Sequence, residues 1–484
     1  MDQVCDRVRE SISQAYFKMT IRPQCPPPLD PEFIPAALWN RSFRRSVQDS
    51  GAEGHSFGIA LEQPGGSVSV YETAILPEDG ADSKQLNFRY VERLVKFLLW
   101  QRGGYRVYLG GSEELSNQIA GLYQPNGARA FDSDFMGTKA YRRPFEIVVL
   151  RTVNELPAAN ESVMSLGGHL DGCRIGFDLG GSDRKCAAVI DGEVVFSEEV
   201  EWDPYFRSDP QYHLDGIQHS LERAAAHLPR VDAIGGSAAG IYVNNEARVG
   251  SLFRGVPDDV FDKRVRRLFF EVQEKWGGVP FEIVNDGEVT ALAGSMASGD
   301  TGVLGVAMGT SEAVGYVTPG GNITTWLNEL AFAPLDYRAD APADEWSGGI
   351  GVGAQYLCQQ AVARLATPEI GFNFPAEMGF PDRLKEVQKR TEAGEKTSEQ
   401  IFESIGRYFG YAVAHYADFY DIRQVLALGR VTSGAGGDIL LREAKQVLAT
   451  EFPALAESIR FRTPGEKEKR HGQAVAAASL PAIK

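Results

Sequence analysis

The chain has 484 residues, of which 43% are hydrophobic and 24% charged, and its formal net charge is −16. This length exceeds what one ordinary hydrophobic core serves, so two or three domains are expected. The acidic balance disfavours nucleic-acid binding because phosphates are repelled. No apolar run approaches the roughly 20 residues that span a bilayer, so a membrane is not an expected partner either.

The cysteines and the N-terminal sequence indicate the compartment. Five cysteines, an odd number with no C-x-x-C spacing, predict reduced thiols rather than a disulfide framework. The start MDQVCDRVRESISQAYF carries charge in every turn and lacks the apolar core of a signal peptide. These features predict a cytoplasmic protein.

Residues 1–165 predict an accessory α/β domain. SFGIALEQPGGSVSVYETAIL is typical of two strands around a P-G-G turn. RYVERLVKFLLWQRGG has apolar residues at helical spacing and ends in two glycines. Two further strands are predicted in YRVYLGG and FEIVVL, and the polar, glycine-rich stretch ELPAANESVMSLGGHLDG is typical of a linker.

Two related α/β lobes are predicted next, over residues 172–300 and 301–484. The first begins with three strands, of which the last two join at an Asp191-Gly192 hairpin turn. It continues with a helix, the strand VDAIGGSAAG, a helix around DDVFDKRVRRLFFEVQEKW and the strand FEIVND. The pattern then restarts with VLGVAMG, EAVGYVTP and NITTWLNE as three strands, followed by helices and the late strand QVLALG. A repeated unit of this kind predicts duplicated lobes.

The first candidate motif is the turn Asp178-Leu179-Gly180-Gly181-Ser182-Asp183-Arg184-Lys185. Gly180 and Gly181 leave room for a phosphate to approach the backbone amides. Ser182 offers a hydroxyl, Lys185 a charge, and Asp178 a carboxylate for a hydrated Mg²⁺. A glycine-rich hairpin with a solvated carboxylate explains the same residues about equally well.

The second candidate motif is Asn285-Asp286-Gly287-Glu288, between the strand FEIV and an alanine-rich helix. A carboxylate at a strand end can accept a proton from a substrate hydroxyl. The competing interpretation is a helix N-cap, a common position for Asp, and in isolation it is the stronger one.

Two further turns are rich in small residues. Amides at Gly309, Thr310 and Ser311, after the strand VLGVAM, could form a second phosphate cradle, although a hairpin turn accounts for them alone. The later strand-to-helix turn around Gly434, Gly436 and Gly437 lets a purine or ribose lie against the backbone, with helix amides facing the phosphates. A flexible loop is the alternative there.

The order of these motifs, from about Cys173 onward, resembles the actin-like (RNase H-like) ATPase superfamily and specifically the ROK sugar kinases. The Asp178 turn is similar to the family's D-x-G-G-T, with Ser182 in place of Thr. GGSAAGIYVNNEARVGSLFRGVP is similar to its sugar-site segment and Asn285-Asp286-Gly287 to its N-D-A/G. Gly309-Thr310-Ser311 is similar to its second phosphate turn, and HGQAVAAASL to its terminal helix.

The resemblance implies two RNase H-like lobes and transfer of a phosphoryl group from ATP to a hydroxyl of a sugar or polyol. It implies Asp286 as catalytic base, Asp178 as the water-mediated anchor of Mg²⁺, and glycine-bearing turns around the phosphates and adenosine. Sugar ligands implied in this way are Asn244, Asn285 and Glu329.

Two departures limit the resemblance. Phe332 stands where the family's E-x-G-H segment has His. The cysteine-rich zinc loop is replaced by APLDYRADAPADEWSGGIGVGAQYL, so no structural zinc is expected and the acceptor sugar is left open. Two other functions stay open: a non-catalytic sugar-sensing regulator, and an ATPase or nucleotide-gated interaction protein. Residues 1–165 have three open roles: a cap on the sugar site, a homodimer interface or a separate ligand site.

Overall fold

The computed structural model describes residues 19, 21–51, 55–161, 166–463 and 472–483. The charged start of the chain with Cys5 and residues 162–165 of the predicted linker lie outside these ranges. Among the described helices, none combines the length and the apolar character needed to cross a membrane.

The N-terminal part forms a mixed four-stranded sheet with helices, in the strand order β2-β1-β3-β4. Its elements are α1 (Ala36–Asp49), β1 (Ser56–Glu62), β2 (Val68–Ala74), α2 (Ala81–Arg102), β3 (Arg106–Gly110), α3 (Glu113–Leu122), α4 (Ala130–Asp134) and β4 (Glu146–Leu150). The strands and the long helix predicted for this part are confirmed. Helix α2 ends at Gly103, whose φ of 75° lies in the left-handed region that glycine adopts without strain.

The first lobe contains a five-stranded sheet in the order β11-β8-β5-β6-β7. Its elements are β5 (Cys173–Leu179), β6 (Asp183–Ile190), β7 (Glu193–Glu201), α5 (Pro210–Ala225), β8 (Ala233–Ala238), β9 (Gly240–Val243), β10 (Glu246–Gly250), α6 (Asp258–Lys263), α7 (Leu268–Lys275) and β11 (Phe281–Asn285). Strands β5, β8 and β11 are parallel, and β6 runs antiparallel to both its neighbours. This order, with the second strand reversed, is the RNase H-like arrangement, so the predicted α/β fold is confirmed.

One helix of the first lobe differs from its prediction. The helix expected around DDVFDKRVRRLFFEVQEKW is divided into α6 and α7 by a short turn at 264–267. The interruption buries Val265 and lets Arg266 pair with Glu246 on β10. Packing against the hairpin therefore overrides the continuous helical pattern.

The second lobe follows α8 (Asp286–Ser298) and has the strand order β13-β12-β14-β15. Its elements are β12 (Val303–Met308), β13 (Glu312–Val317), α9 (Gln359–Leu365), α10 (Phe380–Glu392), α11 (Lys396–Tyr416), β14 (Gln424–Leu428), α12 (Gly434–Glu451), α13 (Pro453–Ser458) and β15 (Arg460–Arg462), with α14 (Gln473–Ala478) as the last described helix. The prediction of a third strand in NITTWLNE is wrong. Ile323 makes a single bridge to Val317, and the chain then leaves the sheet for the end of α2.

The two lobes exchange helices. Helix α14, at the end of the chain, packs on the first sheet, where glycines allow backbone contact: a Cβ at Gly176 would lie 1.7 Å from the carbonyl oxygen of Ala474. Helix α8, which follows the first sheet, packs on the second, and a Cβ at Gly305 would lie 3.1 Å from Ala291 Cβ. Asp286, the first residue of α8, therefore lies where the two sheets meet.

The N-terminal part and the second lobe share one apolar core. Aromatic rings connect them, with Phe97 stacked on Phe419 at 4.1 Å between ring centroids and Trp39 against Tyr337 at 5.5 Å. The first lobe has its own core around rings such as Phe177 and Phe269. The boundary near residue 165 stays a prediction, but the hydrophobic packing groups the N-terminal part with the second lobe.

Candidate active site

The two acidic residues at the centre of the prediction lie at one edge of the first sheet. Asp178 is near the carboxyl end of β5, and Asn285 and Asp286 follow one another at the end of β11. Both strands run parallel to β8, which lies between them, so their carboxyl ends meet at the same edge. That edge is where open α/β sheets bind ligands.

Asp178 is buried, with 6% of its surface exposed. Burial raises the pKa of its carboxyl to about 6, and the nearby carboxylates of Asp286 and Asp183 act in the same direction. The facing hydroxyl of Ser237 and the ammonium of Lys185 act in the opposite direction. The structure thus places Asp178 and Asp286 close enough for one charge to influence the other.

Asp286 is half-buried, and the residue that caps α8 is the preceding Asn285. The side-chain oxygen of Asn285 accepts a hydrogen bond of 2.7 Å from the amide of Gly287, which makes Asn285 the N-cap. The Asn285 side-chain nitrogen donates to the carbonyl of Gly240 at 2.8 Å. Loss of hydration raises the pKa of Asp286. The same Gly287 amide also donates to Asp286 Oδ1, at 3.1 Å, but the N-cap residue of α8 is Asn285.

A row of carboxylates continues from Asp286 into the second lobe. Burial, together with the charges of Asp286 and Glu288, raises the pKa of Glu329 to about 8. Burial raises the pKa of Glu288 to about 7, although it accepts hydrogen bonds from the side chain of Asn328 and from the amide of Tyr316. The row joins the acidic edge of the first sheet to the wall of the second lobe.

Glu312 completes this row at the start of β13. It is buried, and one carboxylate oxygen accepts a 3.1 Å hydrogen bond from the hydroxyl of Tyr416. Burial raises the pKa of Glu312 to about 8, and Glu329 adds to the shift. Glu288 and Glu312 were not predicted as site residues. A carboxylate opening the otherwise apolar strand EAVGYV was the signal available for Glu312.

The first predicted phosphate turn is tight and partly covered. The amide of Gly180 donates to the carbonyl of Asp183 at 2.9 Å, and the indole of Trp202 donates to the carbonyl of Gly180 at 2.8 Å. A Cβ at Gly181 would lie 2.0 Å from the hydroxyl oxygen of Tyr205. The side chains around it pair locally, since Ser182 donates to Asp183 and Lys185 Nζ lies 3.5 Å from an Asp183 carboxylate oxygen.

The second predicted phosphate turn is open. The amide of Gly309 donates to the carbonyl of Ser311 at 3.1 Å, and Thr310 lies between these residues. The nearest atom to a Cβ at Gly309 would be that same carbonyl oxygen, at 3.6 Å. At the end of the neighbouring strand, a Cβ at Gly429 would lie 2.5 Å from the carbonyl oxygen of Met308. The Gly309 turn and the loop before α12 therefore adjoin.

The predicted adenosine glycines open helix α12, and two of them also have packing roles. A Cβ at Gly436 would lie 2.5 Å from the ring of Phe402, and one at Gly437 would lie 2.1 Å from the carbonyl oxygen of Thr432. Gly434 has a φ of 62°, and a Cβ there would meet only Glu392, at 3.5 Å. Close packing alone thus requires small residues at 436 and 437.

A cavity of about 300 Å³ lies beside Asn285, between the first lobe, the N-terminal part and the segment before Asn328. Its charged lining residues are Glu282 and Glu288. The predicted sugar ligand Asn244 also lines it, from an exposed turn with left-handed φ. The residues lining the cavity are Gln63, Pro64, Ser67, Tyr141, Leu166, Gly240, Ile241, Tyr242, Val243, Asn244, Asn245, Glu282, Ile283, Val284, Asn285, Glu288, Ile323, Thr324, Thr325, Trp326 and Leu327.

The departure at Phe332 has a structural counterpart. Its ring lies 4.7 Å from that of Trp100 on α2 and 5.0 Å from that of Trp346, measured between centroids. The Phe332 ring therefore packs against one ring of the N-terminal part and one of the second lobe. Among the described residues, no group of three or more His, Cys, Asp or Glu side chains is arranged to hold a metal ion.

Comparison with known proteins finds similarity at the level of solved structures. No protein-family model and no curated protein matches the chain. A ROK hexokinase from Thermus thermophilus is 20% identical, with a TM-score of 0.49, over 63% of this chain and 97% of that one. A ROK family glucokinase from Streptomyces griseus, in complex with glucose and AMPPNP, is 19% identical, with a TM-score of 0.46, over 63% and 99%.

A ROK family transcriptional regulator, a homolog of the E. coli MLC protein, is also similar. It is 17% identical, with a TM-score of 0.49, over 64% of this chain and 79% of that one. All three structures are described as ROK proteins, and ROK is also the family that the sequence motifs resemble. The fold assignment itself rests on the strand order of the first sheet.

Proposed function

We propose that this protein transfers a phosphoryl group from ATP to a hydroxyl of a sugar or sugar-like polyol. The observation that carries the proposal is the position of Asp286. It lies at the carboxyl edge of the first sheet, within electrostatic reach of Asp178. Its neighbour Asn285 lines the cavity and is also the N-cap of α8. A carboxylate in this position is available to act on a substrate.

The triphosphate would lie between the two glycine-bearing turns. Amides of Gly180, Gly181 and Ser182 would face it from the first lobe, with Lys185 as a further charge, and those of Gly309, Thr310 and Ser311 from the second. The open side of Gly309 supports this placement, because a Cβ there would meet only the carbonyl oxygen of Ser311, at 3.6 Å. The adenosine would lie along the loop that opens α12, with Gly434, Gly436 and Gly437.

Asp178 suits a Mg²⁺ ion held through water. It is a buried carboxylate whose raised pKa shows that a positive charge nearby would be favourable, and Mg²⁺ usually takes one or two carboxylates and keeps several waters. Bound there, Mg²⁺ supplies neutralisation of the charge on the β- and γ-phosphates. Asp178 itself would orient those waters.

Asp286 would orient the acceptor hydroxyl and accept its proton. Its raised pKa makes the Asp286 carboxylate a stronger base than that of an ordinary Asp. Asn244, Asn285 and Glu329 would bind acceptor hydroxyls. Because the charged residues lining the cavity are the acids Glu282 and Glu288, neutral or amine-bearing acceptors are expected rather than sugar acids.

A coupled ADP-release screen tests the proposal, with hexoses, amino sugars, ketoses, inositols and sugar acids as acceptors. At least one neutral or amine-bearing acceptor should stimulate ADP release. Asp286→Asn should lower kcat by about 10²–10⁴-fold with ATP affinity retained, the range for general-base help. Asp258→Asn is a matched control, because Asp258 also begins a helix, α6, but is exposed. Turnover retained in Asp286→Asn would remove Asp286 from this role.

The same screen separates the alternatives. ATP hydrolysis that no acceptor stimulates would favour a nucleotide-gated interaction protein. Sugar binding in a calorimetric titration, together with no ATP turnover in the screen, would favour a sugar-sensing regulator. A cytoplasmic location and a homodimer remain predictions.

A further inference from the structure

The C-terminal end of α2 is completed by residues of the candidate site. The last four carbonyls of a helix have no partner within it. Here Leu99 accepts from the amide of Gly103 at 2.9 Å, Trp100 from the amide of Glu329 at 3.0 Å and Gln101 from the amide of Asn328 at 2.9 Å. The carbonyl of Arg102 accepts from the side chain of Gln63, which also lines the cavity. The helix end is thus satisfied in part by the segment that carries Glu329.

Asn328 connects this helix end to the carboxylates. It is buried, with 2% of its surface exposed, and its φ of 51° is left-handed, which Asn tolerates better than most residues. Its side-chain nitrogen donates to Glu288, and its side-chain oxygen accepts from the hydroxyl of Tyr420 at 2.7 Å. The backbone amide of Asn328 donates to the carbonyl of Gln101 on α2. The amide, the side-chain nitrogen and the side-chain oxygen of Asn328 therefore each bond to a different part of the structure.

We infer that Asn328 is a positioning residue for acceptor binding. Through Asn328, the N-terminal part fixes the position of the acceptor wall, by which we mean residues 324–329 and the side chain of Glu288. Asn328 fixes the backbone that presents Glu329 and the side chain of Glu288, one of the two acids lining the cavity. The identity of the ligand as an acceptor rests on the proposed function. Of the three roles open for residues 1–165, this inference selects a cap on the sugar site.

The path of the segment that was predicted to be the third strand supports this inference. The segment that departs from the second sheet after Ile323 lines the cavity with Thr324, Thr325, Trp326 and Leu327 before it reaches α2. On the N-terminal side of the same cavity, Gln63 reaches toward the carbonyl of Thr325 at 3.4 Å. The N-terminal part therefore contacts the acceptor wall at both ends of the segment.

Asn328→Gly tests the inference, because glycine keeps the left-handed backbone and removes both side-chain hydrogen bonds. Acceptor affinity, measured by titration calorimetry with the best sugar from the screen, should fall about tenfold, the worth of a hydrogen bond to a charged group. ATP affinity should be unchanged. Asn328→Asp should bind the acceptor weakly at alkaline pH, where both carboxyls are ionised, and recover as pH falls, since one proton held between the new carboxyl and Glu288 restores the hydrogen bond.

Asn87→Ala is the control for a purely structural effect. Asn87 is a buried residue of α2 whose side chain makes two 2.9 Å hydrogen bonds to the backbone of Leu76, far along the helix from the site. This variant should lose thermal stability with acceptor affinity retained. Equal acceptor affinity in Asn328→Gly and wild type, or parallel losses of ATP and acceptor affinity, would overturn the inference.

The binding measurement separates this inference from the proposed function. If the wild type binds a sugar without turning over ATP, the transfer proposal fails, and weaker binding by Asn328→Gly still supports the positioning role. If the wild type transfers phosphoryl and Asn328→Gly keeps its acceptor affinity, the positioning role alone fails. A wild type that binds no sugar contradicts both.

Discussion

The two lobes begin alike and then differ at their third strand. In each, a strand leads through a glycine-bearing turn into an antiparallel partner, β5 into β6 and β12 into β13. In the first lobe, β7 continues the sheet beside β6. In the second lobe, the corresponding segment makes only isolated bridges at Ile323, to Val317 and to Leu166, and then binds the end of α2. The duplication is therefore broken where the N-terminal part is attached.

The turns differ in the same sense. The glycines of the first turn are covered by Tyr205 and Trp202 from the same lobe, whereas Gly309 in the second turn is open. The first lobe has a main apolar core of its own, besides the face of its sheet that α14 covers, and the second lobe shares its core with the N-terminal part. The second lobe therefore depends on the N-terminal part to bury its apolar residues, and the main core of the first lobe does not.

The largest expected effect on stability is at the glycines where a helix from the other lobe packs on each sheet. These are Gly176, which contacts α14, and Gly305, which contacts α8. Gly176→Ala should lower the free energy of unfolding by about 3 kcal/mol, because a Cβ would lie 1.7 Å from a backbone oxygen of α14. Gly305→Ala should lower it by about 1 kcal/mol, because its neighbour at 3.1 Å is the Cβ of Ala291, which can shift slightly. Urea denaturation of both variants measures the difference, and equal losses would show that the two helix contacts are equivalent.

A smaller effect depends on pH and concerns Glu312. Its pKa is raised by burial from 4.5 to about 8 in the folded state, so the folded protein binds a proton that the unfolded chain releases between these values. Stability from this group is therefore full below pH 4.5 and decreases as pH rises to about 8. Glu312→Gln cannot ionise, so its stability relative to wild type should rise by about 2 kcal/mol between pH 5 and pH 6.5.

Thermal unfolding across that pH range checks the prediction. Asp183→Asn removes a carboxylate at the corresponding start of β6, where Lys185 is nearby, and is the control for the change in net charge. A stability difference between Glu312→Gln and wild type that does not change with pH would show that Glu312 is ionised in the folded protein throughout.

The smallest expected effect on stability compares the two turns. Gly309→Ala should change the free energy of unfolding by less than about 0.5 kcal/mol, since only ordinary van der Waals contact is added. Gly181→Ala should cost about 1 kcal/mol, because the ring of Tyr205 must move. If the turns hold phosphates, both variants should weaken ATP binding in a calorimetric titration. Unchanged ATP affinity in Gly309→Ala would remove the second turn from the nucleotide site.

The strand and turn patterns predicted most of the fold because they are local. The hairpin at Asp191-Gly192 has left-handed φ at both residues, as that dipeptide predicts. The third strand of the second lobe could not be excluded from sequence, since its alternating pattern is compatible with a strand. Its backbone is satisfied instead by the carbonyls of α2, more than 200 positions earlier in the chain. A long-range partner of this kind leaves no local signal.

The site was predictable to a similar extent. The shared sheet edge of Asp178 and Asp286 could be expected from sequence because each lies at the carboxyl end of a predicted strand, and their catalytic roles stay predictions. Asn328 was missed because its role depends on three partners from separate elements, Gln101, Glu288 and Tyr420. The pairing of Asn285 with Gly287, which removes the cap from Asp286, is likewise visible only once side-chain geometry is known.

The exchanged helix α14 has a consequence for how the chain folds during synthesis. Strands β5 and β8 are made in the first half of the chain, yet the face with Gly176 and Gly235 is covered only by residues 474–478. Aromatic rings of α1 and α2 likewise pack against rings that are made much later, with Trp39 against Tyr337 and Phe97 against Phe419. Neither early segment can bury all of its apolar surface before those later residues are made, so we expect these contacts to form late in folding.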